Sequence, residues 1–284
     1  MTILNSKKLA PDTKMGPVHL TVSDLDRSLD YYRYSIGLRL IGRDGDQASL
    51  GTGREELLRL VELPGAAHVP RRTGLYHFAL LLPSRQALCN ALHTLIATET
   101  KLSGVADHLV SEALYLDDPD GNGIEIYRDR PRAEWPVHDG RLQMDTLPLD
   151  VDGILADAGD ESTNKLPTET VMGHVHLHVA HLARAVHFYQ EVIGFDLQAQ
   201  MGATAAFMSA GGYHHHLGLN TWAGVGAPPP PPGAVGLRFF VIALPGIAAQ
   251  DDLLGRLQEA QVMHEQNANG LAVRDPSNNQ ILFV

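Results

Sequence analysis

Three side chains in the first half of this chain have the chemistry to hold a divalent metal. His19 lies in the apolar run "PVHLTV", His77 in "GLYHFALLL" and Glu125 in "GNGIEIY". All three runs read as short strands. Side chains alternate between the two faces of a strand, so Glu125 shares a face with Gly123 and Tyr127 while Ile124 and Ile126 take the other. A bare carboxylate on a covered sheet face is costly unless something compensates its charge. Two imidazoles and one carboxylate, with the remaining positions open, form the donor set of non-haem Fe(II) oxygenases, in which substrate and dioxygen meet on the ion. The bland alternative makes His19 and His77 hydrogen-bonded core residues and pairs Glu125 with an arginine.

The elements that carry these residues come from a repeat. "PVHLTVSDLDRSLDYYRYSIGLRL" (Pro17–Leu40) matches "HVHLHVAHLARAVHFYQEVIGFDL" (His174–Leu197) at His19/His176, Tyr32/Tyr189 and Gly37/Gly194, always 157 residues apart. The same offset returns downstream, where Asp118 of "DDPDGNGIEIY" meets Asp275 of "RDPSNNQILFV". Two separated segments sharing one offset indicate duplicated halves. Each half also contains a second, weaker unit, beginning at Gly74 and Gly236. In the first of these, Leu88, Ala91, Leu92 and Leu95 keep the i, i+3, i+4, i+7 spacing of an amphipathic helix. The fold expected is therefore α+β: four βαβββ units in two tandem domains, 16–130 and 173–284, each an open, barrel-like curved sheet with flanking helices. A Pro-, Asp- and Gly-rich linker, 131–172, joins them, with one short helix near Val151–Ala158. Asp117, Asp118 and Asp120 read as turn formers, Cys89 as core, and the five prolines of "GVGAPPPPPGAVG" as a stiff extended connection.

Bulk composition narrows the partners. A formal charge of −11 and no basic patch argue against nucleic acid or an anionic membrane surface. One cysteine excludes an internal disulfide, and no run of ~20 apolar residues or signal-like N-terminus occurs. A reducing cytoplasm is the expected compartment. Fifteen histidines are many for 284 residues, and they keep a metal in view.

The paired units resemble the vicinal-oxygen-chelate superfamily of glyoxalases, bleomycin and fosfomycin resistance proteins and extradiol dioxygenases, and within it the two-domain catechol 2,3-dioxygenase-like proteins. The resemblance covers both halves. It implies an Fe(II)-dependent extradiol dioxygenase that takes a small aromatic diol and O2, with His19, His77 and Glu125 as the metal ligands. Tyr115, ten residues before Glu125, matches a tyrosine that hydrogen-bonds the catechol oxygen, and His108 matches a substrate-contacting histidine; the resemblance makes both catalytic. Two departures stand out. The triad sits in the N-terminal half, its counterparts in the second half being His176, Phe239 and Leu282, and the last strand of the first unit offers no acid/base histidine. Domain two carries instead "HVHLH" and "GGYHHHLGLN", from which His176 with His214 or His216 could form a second metal site or line a polar interior. The rival readings are a glyoxalase-like lyase or isomerase using Ni, Mn or Zn, for which only Glu55, Glu56 or Glu62 could supply a fourth ligand, and a non-catalytic binder of small aromatics. Exposed edges of curled sheets can also pair with a second copy of the chain.

Overall fold

The computed structural model describes residues 8–53, 55–157 and 164–284. The first unit runs β1 (Lys14–Val22), α1 (Leu25–Asp30), β2 (Arg39–Asp44), β3 (Gln47–Gly51) and β4 (Glu56–Glu62). The second runs β5 (Gly74–Leu82), α2 (Arg85–Ala97), β6 (Leu102–Asp107), β7 (Ser111–Asp117) and β8 (Gly123–Asp129). The connecting segment holds a small hairpin, β9 (Val137–His138) with β10 (Arg141–Leu142), and the short helix α3 (Val151–Leu155). Unit three is β11 (Val171–His178), α4 (Leu182–His187), β12 (Asp196–Met201), β13 (Ala205–Ser209) and β14 (Leu217–Asn220). Unit four is β15 (Gly236–Ala243), α5 (Ile247–Glu259), β16 (His264–Asn267), β17 (Gly270–Arg274) and β18 (Gln280–Phe283). The five prolines at 228–232 belong to no strand, and none of them could donate a ladder hydrogen bond.

Four βαβββ units are thus present, in two curved eight-stranded sheets. The sheets do not keep to the halves. One has the order β16-β17-β18-β15-β1-β4-β3-β2 and joins unit four to unit one; the other, β12-β13-β14-β11-β5-β8-β7-β6, joins unit three to unit two. In every unit the first strand lies parallel to the last, as β5 does to β8, and its free edge pairs antiparallel with the first strand of the partner unit.

Local sequence explains the helices and turns. The Asp24 carboxylate caps α1 by accepting the Arg27 N–H at 2.9 Å, and the Ser84 hydroxyl caps α2 by accepting that of Ala87 at 3.1 Å. The α2 stripe Leu88, Ala91, Leu92 and Leu95 is buried, as is Cys89. Ile124 and Ile126 are fully buried beside Phe78 and Leu80, each contributing about 1.5–3 kcal/mol of burial free energy. The two repeat segments touch: the Tyr32 hydroxyl donates to Asp118 at 2.9 Å and that of Tyr189 to Asp275 at 3.1 Å. Asp118 also accepts the backbone N–H groups of Asp120 and Asn122 and the Asn122 side-chain amide, so this aspartate is the hub of the turn leading into β8. No helix among the described residues is long and apolar enough to cross a membrane.

Candidate metal centre

Neighbouring strands of the second sheet carry His174 and His176 on β11, His77 on β5, Glu125 on β8 and Tyr115 on β7. The ladder sets His176 opposite His77 and Glu125 opposite Tyr115. Gly123 makes the β5–β8 approach feasible, since a β-carbon there would fall 2.0 Å from the Tyr76 carbonyl oxygen. The face opposite the buried isoleucines therefore converges on one point. His174 Nε2 lies 3.0 Å from Glu125 Oε2, His77 Nε2 lies 3.1 Å from the same oxygen, and the two nitrogens are 3.3 Å apart. All three residues are buried, and among the described residues they are the one His/Cys/Asp/Glu group close enough to share an ion.

This donor set fits a metal. Three donors on mutually perpendicular bonds of ~2.1 Å are separated by ~3.0 Å, the edge of one octahedral face. Burial lowers the His174 imidazole to about 4 against the opposing pull of Glu125, so the ring is neutral at physiological pH and offers a lone pair. Burial works to raise the Glu125 carboxyl, but the His174 and His77 imidazoles reverse the effect and hold it well below the usual carboxylate range. His174 Nδ1 is buried without a hydrogen-bond partner.

Two hydrogen-bonded chains flank the three donors. On one side, a carbonyl can only accept, so the 2.8 Å bond to Asp145 C=O puts the His108 proton on Nδ1. His108 Nε2 then accepts the Tyr115 hydroxyl at 2.7 Å. Burial, reinforced by Glu125, raises the Tyr115 phenol well above its ordinary value, so it stays protonated. On the other side, the His215 ring lies 4.0 Å from that of His174 and 5.1 Å from that of Phe207. The Asp129 carboxylate accepts the Nε2–H of His214, which is fully buried, at 2.9 Å. His214 Nδ1 is left to accept the Nδ1–H of His215 at 2.7 Å. With those protons placed, His215 Nε2 keeps a lone pair. Burial, then the neighbouring His174 and His214, drive this imidazole well below its ordinary value.

The profile of the Glyoxalase/Bleomycin resistance protein/Dioxygenase superfamily matches residues 14–126 and again 171–283. The chain belongs to this superfamily. A relative named catechol-2,3-dioxygenase, from Bacillus subtilis strain 168, is 46% identical over 279 residues, covering 96% of this chain and 98% of that one. Among solved structures, a Bacillus subtilis protein superposes with a TM-score of 0.65 at 12% identity, covering 97% of this chain and 85% of its own. Glyoxalase I of Zea mays gives 0.57 at 15% identity, covering 96% and 92%. These last two likenesses concern the fold alone.

Within this superfamily member, the structure brings His77, Glu125, Tyr115 and His108 together but sets His19 elsewhere. His19 lies on β1 in the other sheet, opposite Phe239, with the two rings stacked at 3.9 Å. The cause is the pairing of units: β1 meets unit four, which offers Phe239 where β5 offers His77. The one acid on β4 near His19, Glu56, is bound twice by Arg59, at 2.7 and 2.8 Å. His174 takes the place expected for His19. The 157-residue offset aligns His174 with Pro17, so comparing the repeats hides it. Its visible signal was the run of three alternating histidines in "HVHLH", His174, His176 and His178.

His214, His215 and His216 precede β14 rather than lie in it, so strand alternation does not sort them and His215 was missed. His176, His214 and His216 do not assemble. His214 is held by Asp129 and His215, and His216 Nδ1 accepts the Ala210 N–H at 3.1 Å.

Proposed function

We propose that this chain is an extradiol ring-cleaving dioxygenase that uses Fe(II) and O2 on a catechol-like aromatic. His77 Nε2, Glu125 Oε2 and His174 Nε2 would hold the ion. The observation that carries the reading is this open set of two imidazoles and one carboxylate flanked by one protonated phenol and one unprotonated imidazole. The full-length similarity to the Bacillus subtilis protein named catechol-2,3-dioxygenase supports it. A glyoxalase-type site would need a fourth protein ligand, and the group of close donors stops at three among the described residues. The reaction suits the reducing cytoplasm expected from composition, where iron stays ferrous.

When bound, Fe(II) supplies a Lewis acid that lowers the pKa of a chelated diol and a redox partner for dioxygen. The protein's residues do the rest. Tyr115, its O–H donating a hydrogen bond to His108 Nε2, presents oxygen lone pairs to one substrate hydroxyl and orients it. His108 is the base behind that tyrosine, its tautomer fixed by the Asp145 carbonyl. On the opposite flank His215 Nε2 can take a proton from the second hydroxyl and return it when the ring opens. Asp129 acts through His214 as a positioning residue that keeps the lone pair of His215 on that side. The buried sheet face keeps water from the three donors, each of them 5% exposed or less.

The test is anaerobic reconstitution with Fe(II), followed by addition of catechol and air. Stoichiometric oxygen uptake with a yellow ring-opened product is expected, abolished in His174→Ala and His77→Ala. Iron-loaded protein that consumes no oxygen across a panel of catechols would overturn the assignment.

A further inference from the structure

His176 is a buried histidine that neither the metal centre nor its proton chains use. It is 3% exposed, and its Nε2 is fully buried without a hydrogen-bond partner. Buried ring nitrogens almost always find one, so an orphan calls for a reason. The ring is fixed from behind: a β-carbon at Gly218 would fall 2.6 Å from His176 Cγ, so only glycine on β14 lets the imidazole lie there. Its other neighbours are aromatic, with ring centroids at 5.0 Å for His77, 5.1 Å for Tyr76, 5.5 Å for Trp222 and 5.8 Å for Phe207. Tyr76 and Trp222 also pack edge-on to each other at 5.1 Å, and they are 39% and 51% exposed. These rings thus connect His77, proposed to hold the metal, with the half-exposed Tyr76 and Trp222, and the bare His176 Nε2 lies among them.

We infer that His176, Tyr76, Trp222 and Phe207 form a substituent subsite, in which His176 Nε2 hydrogen-bonds an uncharged polar group on the substrate ring. The inference rests on the proposed catechol chemistry and deepens it. Aromatic walls accept the face or edge of a substituted ring, and a side group that reaches the imidazole nitrogen satisfies an atom the protein leaves bare. The ligand class is neutral. The titratable groups that act most on His176 are His77, His174, His178 and Glu125. With the Fe(II) charge offset by Glu125 and a chelated diol, a carboxylate substituent would find no cation of its own, whereas a hydroxyl or carbonyl carries no such penalty.

Isothermal titration calorimetry on Fe(II)-loaded protein under argon tests this without turnover. The probes are catechol as reference and two matched pairs, hydroxymethylcatechol against ethylcatechol, substituted at ring position 3 or 4, together with 3,4-dihydroxybenzoate. In at least one pair the hydroxyl-bearing ligand should bind roughly tenfold tighter than its ethyl isostere, and the benzoate should bind weakest. His176→Phe should level that pair, while His176→Gln, which keeps a hydrogen-bonding end, should restore most of the preference. Wild-type protein that binds catechol but discriminates in neither pair overturns the subsite and leaves the dioxygenase reading standing. So does a preference that survives in His176→Phe, or a benzoate that binds best. If no catechol binds the loaded protein, the parent reading falls and the subsite with it. The wild-type comparison decides even if a variant fails to fold.

Discussion

Exchanging the roles of His19 and His174 offers the sharpest test of the metal centre. His174 is 1% exposed and supplies one of three donors lying 3.0–3.3 Å apart; His19 stacks on Phe239 in the other sheet. A ligand that binds only the folded state stabilises it by RT ln(1 + [L]/Kd), about 2.7 kcal/mol at a hundredfold excess over Kd. For a chain of this size each kcal/mol shifts Tm by about 2–4 °C, so Fe(II) should raise the wild-type midpoint by roughly 5–10 °C. The assay is scanning calorimetry under argon, with and without Fe(II), and with Mn(II) as a redox-silent check. Only the metal-dependent increment within each variant is compared, which cancels what the substitution itself costs. His174→Ala should lose the increment. His19→Ala should keep it, at a metal-free cost of about 0.5–1.5 kcal/mol for the lost ring pair. If His19→Ala abolishes the increment and His174→Ala preserves it, the reasoning from the paired sheets is refuted.

Replacing Asp129 with asparagine, whose amide can no longer anchor the proton order through His214 to His215, should lower kcat/KM by about tenfold or more with Fe(II) affinity unchanged; anaerobic metal titration beside steady-state oxygen uptake checks both. Tyr32→Phe and Tyr189→Phe each delete one hydroxyl to a buried aspartate and should each cost about 1–2 kcal/mol in urea unfolding. Only Tyr32→Phe, which loosens the turn before β8, should also weaken metal binding. Stability of the metal-free protein should fall as pH drops from about 6.5 to about 4. Burial lowers both His19 and His216 from 6.5 to about 4, so in that window the unfolded chain binds more protons than the folded one. The contribution is complete above pH 6.5 and is lost as pH falls toward 4; chevron or urea midpoints at pH 7, 5.5 and 4.5 measure it, and a midpoint rising on acidification contradicts it.

Much of this architecture was legible in the sequence because it is local. The alternation around Glu125, the helical spacing of Leu88 to Leu95 and the turn chemistry at Asp118 each depend on residues close along the chain. The 157-residue offset aligned Tyr32 with Tyr189 and Asp118 with Asp275, and in the structure each tyrosine donates to the aspartate of its own half. What could not be read was which unit meets which. All four present the same free edge on their first strand, so pairing one with two or one with four satisfies the pattern equally well. That ambiguity is why the imidazole beside His77 and Glu125 is that of His174 and not His19, and why the proposed acid/base histidine lies on the approach to β14. The segment His214–His216 escapes such reasoning for a different reason: alternation applies only to extended, paired backbone, and these residues lie in the irregular stretch before β14.

Because β5 and β11 sit side by side, the proposed reactive centre straddles the duplication, with residues 77 and 125 from one repeat and 174 and 215 from the other. Neither repeat expressed alone could carry out the chemistry, yet the two supplied as separate polypeptides should restore it when mixed, with an activity that fades on dilution. A covalent tether removes that concentration dependence, so the stretch between the repeats has a role even where it touches no substrate: it makes a two-body encounter permanent.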